Sequence, residues 1–113
     1  ELEKLALICL EGNTSTRNYM DGFLQENGVR IHPEFELATS DMIVQFTLRN
    51  LGVGSVMREF AQAELESGRL FELRFNKMIP KRKFCIVTGE KGGLSAAAAN
   101  LLQIIDTQAP DYF

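Results

Sequence analysis

Six consecutive apolar residues, Leu5-Ala-Leu-Ile-Cys-Leu10, restrict what this chain can fold into more than any other stretch. The run has strand length and no alternation, so both of its faces must be covered. Such a strand belongs inside a parallel sheet with helices above and below. It closes on Glu11-Gly-Asn-Thr-Ser-Thr16, a polar turn crowded with helix-capping residue types. A helix follows, with Tyr19, Met20, Phe23 and Leu24 spaced as one apolar stripe. Asn27-Gly28 stops it, because glycine accepts the left-handed conformation that β-carbons resist.

The same alternation continues. Pro33 blocks helix, and Glu34-Phe-Glu-Leu37 has the period of a short strand. Thr39 or Ser40 caps a second helix, with Asp41 in its first turn and Met42, Ile43, Phe46 and Leu51 as its apolar face. Gly52-Val-Gly54 ends it ahead of a strand over 53–57, and residues 59–65 form a short helix stopped at Ser67-Gly68. Leu70, Phe71, Leu73 and Phe75 predict another strand, residues 83–88 a further one, and 76–82 the loop between them. Ser95 caps a last helix running from Ala96 to about Thr107, whose four consecutive alanines have the highest helix propensity in the chain. The class is α/β, a mixed, mainly parallel sheet flanked by helices. At 113 residues, 45% hydrophobic, it fits one small domain.

Charge and motifs narrow the function. Twelve Lys and Arg against fifteen Asp and Glu leave a net charge of -3, with no basic field for nucleic acid. The three charges of Lys81-Arg-Lys83 read as a solvated turn. No apolar run approaches a bilayer span and no signal-peptide pattern opens the chain, so the expected setting is cytoplasmic and away from membranes. Glu at position 1 suggests an excised or trimmed piece. Cys9 and Cys85 sit in strand-like apolar runs and are expected to be buried, reduced thiols. Their spacing offers no zinc site. Gly89-Glu-Lys-Gly-Gly-Leu-Ser95 lacks the Lys-Ser/Thr pair of a phosphate loop, and Gly52-x-Gly54 lacks the third glycine of a dinucleotide fingerprint. No cofactor is implied. His32 lies in a loop without a nucleophile to serve, and Glu34 and Glu36 read as a solvated strand edge.

Two turns remain. Asn13-Thr-Ser-Thr-Arg17 and Thr39-Ser-Asp41 each follow a strand and open a helix. In an open α/β sheet the strands' carboxyl ends share the edge where ligands bind. Hydroxyls and free backbone N–H groups at a helix start suit a small carboxylate or sulfate. The same residue types are the favoured caps, so each turn taken singly is explained by capping. Their repetition at equivalent positions sets the anion-binding reading beside the capping one.

The order of Leu-Ile-Cys-Leu-Glu-Gly-Asn-Thr-Ser-Thr-Arg, Glu-Leu-Ala-Thr-Ser-Asp, Asn50-Leu-Gly-Val-Gly54, Leu65-x-x-Gly-x-Leu70-x-x-Leu73 and Leu94-Ser-Ala-Ala97 resembles the carboxy-terminal half of LysR-type transcriptional regulators over nearly the whole chain. One departure is Met57, where the family commonly has proline. The resemblance implies part of an effector-binding domain of periplasmic-binding-protein-like (type II) fold, two α/β subdomains around a small-molecule cleft. It implies a regulator, not an enzyme.

Carried over, the family's cleft-lining turns fall on Thr14, Ser15 and Thr16 and on Thr39, Ser40 and Asp41, with Arg17 at the place of an arginine often found in the first motif. Residues 1–88 would be the second subdomain with its returning crossover strand, and 89–113 a helix of the first subdomain, otherwise missing along with the helix-turn-helix that binds DNA. The helix face of Leu94, Ala97, Ala98, Leu101, Ile104 and Ile105 must then find a partner, since each large apolar side chain left wet costs about 1.5–3 kcal/mol. The expected partners are a small, anionic effector and a second copy of the chain, by dimerisation or helix exchange. The competing readings are a solute-binding protein fragment and a small α/β enzyme domain.

Overall fold

A computed structural model describes residues 1–82, 85–89 and 93–108. The chain divides into two units, Glu1–Ile79 and Pro80–Phe113. The first holds β1 (Leu7–Leu10), α1 (Ser15–Glu26), β2 (Phe35–Leu37), α2 (Ser40–Leu48), β3 (Val53–Gly54) and, after a 3-10 turn over Arg58–Ala61, α3 (Gln62–Glu66). The second holds α4 (Ala96–Gln108).

The sheet has the order β2-β1-β3, every pair parallel. Ile8 pairs with Phe35 on one side and Gly54 on the other. With β1 central, side-chain alternation assigns the two faces. Leu7 and Cys9 join Met20 and Leu24 of α1 in a buried cluster, with Phe23, Val29 and Val53 against it. On the opposite face Ile8 is fully buried, as is Ile43 of α2, and Phe35 meets Phe46 edge-to-face with ring centroids 5.3 Å apart. The helices therefore cover opposite faces, as right-handed crossovers to the two flanks of β1 require. The apolar run is explained over Leu7–Leu10, where both faces of β1 are core; Leu5 is half-buried and Ala6 exposed ahead of the strand. Full burial of Ile8 and of Ile43 contributes about 1.5–3 kcal/mol each.

Local signals set the helix ends. Gly28 has φ +72°, and Val29 N–H closes α1 by donating to Leu24 O at 2.9 Å. Gly68 likewise has φ +77° after α3. Ser95 Oγ accepts from Ala98 N–H at 3.1 Å, capping α4.

Several expectations are corrected. Residues 70–75 and the described residues 85–88 form no strand, and Lys83 and Phe84 lie outside the described residues. An alternating segment becomes a strand only where a neighbour supplies hydrogen-bond partners. Phe71, 83% exposed, has no such neighbour among the described residues. Cys9 is buried but Cys85 is exposed, both as free thiols. The strand expected over 53–57 is only Val53–Gly54, and the helix expected over 59–65 is split between the 3-10 turn and α3. α2 buries Ile43 and Val44, whereas Met42 and Leu51 are exposed. The helix is rotated by about one residue from the expected face, because the residue after Ile43 also meets the sheet.

Candidate functional site

The turns after β1 and β2 leave the same edge of the sheet. Leu10 and Leu37, the last residues of the two strands, are register partners. Glu11 N–H extends the ladder by donating to Leu37 O at 2.9 Å. From that rung one turn leads to α1 on one face and the other to α2 on the opposite face. Diverging connections between adjacent parallel strands open a crevice at their carboxyl ends.

The structure seats the six candidate residues differently. Thr14 is the N-cap of α1; its Oγ1 accepts from Arg17 N–H at 3.2 Å and donates to Glu11 O at 2.9 Å. Its proton is thus committed within the turn. Ser15 and Thr16 form the first helical turn beside it. Thr39 is the N-cap of α2 and accepts from Met42 N–H at 3.2 Å, but its hydroxyl donates to no acceptor among the described residues. Ser40 is half-buried and Asp41 exposed, both in the first turn. The amides of Ser40 and Asp41 precede the first intrahelical bond, Ile43 N–H to Thr39 O, and face outward from the helix end. Donors converge at the start of α2, whereas Thr14 chiefly holds its own turn together.

Two residues beside this edge carry roles that sequence reasoning did not assign. Glu36, expected as a solvated edge residue, accepts from Arg17 Nη1 at 2.9 Å. The signal was the opposite charge on the two residues, but only the register puts them together. Ser55, just past β3, donates its N–H to Ile8 O at 2.9 Å and its hydroxyl to Met20 Sδ at 2.8 Å.

Arg17 is the charge centre of the region. Its Nε lies 2.9 and 3.0 Å from the two carboxylate oxygens of Asp21, and its Nη1 lies 2.8 Å from Leu10 O. Burial works against its charge, yet the hydrogen bonds to Asp21 and Glu36 outweigh it and hold the guanidinium pKa above its ordinary value. Cys9 lies on the same face of the sheet; burial raises its thiol pKa, the nearby Arg17 charge opposing that only in part.

Two shallow grooves run along the helices. One, of ≈340 Å³, runs along α2 from Asp41 to Arg49; the other, of ≈350 Å³, includes Arg17, Asp21 and Arg30. Among the described residues no group of three or more His, Cys, Asp or Glu could hold a metal ion, and no helix is long and apolar enough to cross a membrane. His32 is exposed in its loop. The site offers hydrogen-bond donors at a helix start.

The family model of the LysR substrate binding domain matches residues 1–110. The chain belongs to that family. A LysR-type domain of this kind has the periplasmic-binding-protein-like type II fold and senses small molecules on behalf of a transcriptional regulator. The parallel sheet with helices on both faces is the layout that fold requires. No curated protein and no solved structure matches the chain.

Proposed function

We propose that this LysR-type domain binds a small anionic effector at the helix starts Thr14–Thr16 and Thr39–Asp41 and so modulates transcription. The observation that carries the reading is the Leu10–Leu37 rung, from which both turns leave a single sheet edge. The Thr39 and Ser40 hydroxyls and the first amides of α2 donate to the anion, favoured by the helix dipole. Asp41, an acceptor, suits a hydroxyl or amine on the same molecule.

The protein is cytoplasmic, performs no catalysis, needs no cofactor and acts as a homodimer or higher oligomer. It reaches DNA through a helix-turn-helix not contained in these residues. Effector binding shifts the balance between two arrangements of subdomains and subunits by its differential affinity for them.

The test uses the intact regulator, with sulfate and a panel of small carboxylates screened by thermal shift. Thr39→Ala combined with Ser40→Ala is expected to weaken the best ligand at least about tenfold, the cost of removing hydrogen bonds to a charged group. If affinity is unchanged while stability drops by about 1 kcal/mol, these residues are caps only.

A further inference from the structure

We infer that Arg17 is a positioning residue that holds the two proposed binding turns in register, and that it does not itself touch the ligand. On the β3 side of β1, Ala6 O accepts from Val53 N–H and Ile8 O accepts from Ser55 N–H. The next rung would bring Leu10 O to the amide of Met57. β3 has already ended at Gly54, and Leu10 O accepts instead from Arg17 Nη1 at 2.8 Å. The guanidinium replaces a backbone donor at the place where the sheet runs out, satisfying a carbonyl that the short strand would leave unpaired.

The same nitrogen reaches Glu36, whose register partner is Cys9, so one group is bonded to both strands immediately before their turns. The Arg17 amide donates to Thr14 Oγ1, tying its backbone to the first turn as well. Asp21 occupies Nε from one helical turn onward and fixes the plane of the fork. With a side chain only 10% exposed and committed to three acceptors, Arg17 is poorly placed to serve as a ligand. What it does is compensate the Glu36 and Asp21 carboxylates, which would otherwise repel an anion at this edge, and keep the Glu11–Leu37 rung closed.

This inference rests on the effector reading for its functional meaning, but its structural half is separately measurable. Hydrogen exchange in the intact protein reads the Glu11 amide, which bridges the two turns, against the Val53 and Ser55 amides on the other side of β1. Arg17→Gln is expected to reduce Glu11 protection at least about tenfold, the scale of a lost charged hydrogen bond, and to leave Val53 and Ser55 within about twofold. Arg17→Lys, which keeps the charge but not the fork, is expected to restore part of that protection. Should Arg17→Gln fail to fold, Glu36→Ala removes one arm of the clamp at a half-exposed position and is expected to loosen the same amide. Unchanged Glu11 protection, or an equal loss at all three amides, overturns the inference.

Sulfate titrated onto the wild type and followed by amide chemical shifts then separates the two claims. If it shifts Ser40 and Asp41 and binds at least about tenfold more weakly to Arg17→Gln, both stand. If it moves neither turn while Glu11 responds as expected, the clamp stands and anion binding is overturned.

Discussion

The Thr47 hydroxyl occupies the space where a β-carbon on Gly54 would stand. Such a carbon would overlap Thr47 Oγ1 and come within 2.9 Å of Ile43 Cγ2. Thr47 cannot turn away freely, since its hydroxyl donates to Ile43 O at 2.7 Å. The glycine is thus what lets α2 lie directly on β3. Gly54→Ala is expected to cost about 1–3 kcal/mol, the range for overpacking a close contact. Urea denaturation measures it, and the loss should shrink in a Thr47→Ala background. A cost below about 0.5 kcal/mol would contradict the packing described.

The rotation of α2 yields a second prediction. Ile43 is fully buried and its neighbour Met42 is exposed. Ile43→Ala is expected to destabilise by about 2–5 kcal/mol. Met42→Ala should stay within about 0.5 kcal/mol, as for surface changes generally. Similar costs at the two positions would restore the face expected from sequence.

The two caps are chemically alike but differently engaged. Thr14 accepts and donates within its turn, whereas Thr39 only accepts among the described residues. Each alanine variant is expected to lose about 1 kcal/mol, with Thr14 the larger. Serine should restore most of both. Circular dichroism melts on Thr14→Ala, Thr39→Ala and the serine pair test the order; equal losses would mean the Thr14–Glu11 bond contributes nothing.

The cysteines separate by reactivity. In the native 113-residue chain a thiol reagent should modify Cys85 quickly and Cys9 only at the rate of unfolding. Cys9 also sets a pH dependence. Its folded pKa is raised above the usual 9.0 by burial, so the folded state keeps the proton that the unfolded chain releases. Fewer protons on the unfolded state means that stability falls as pH rises. The contribution is intact below pH 9.0 and is lost as pH climbs through the raised folded value. Wild type should therefore lose more stability than Cys9→Ala between pH 8 and 10.

Much of this fold was legible without coordinates. Residues 5–10, Asn27-Gly28, Thr39 and Ser95 each signal through chemistry carried by a few adjacent residues; the stop and caps appear where those signals stand, and the strand over the last four residues of the apolar run. Segments that depend on a distant neighbour misled. Leu70, Phe71, Leu73 and Phe75 alternate as a strand does, yet no strand forms among them, because a ladder needs a second edge. Cys85 shares the apolar setting of Cys9 but not its burial, for the same reason.

At the candidate site the division is sharper. Sequence alone determined the residue types at the two helix starts, because capping and anion binding both draw on short-range backbone geometry. Only the tertiary structure decided that Leu10 and Leu37 end side by side, that Glu36 shares a face with Arg17, and that a guanidinium stands in for the rung β3 leaves out. Register is a property of two strands at once, and a one-residue slip would send Glu36 to the opposite face.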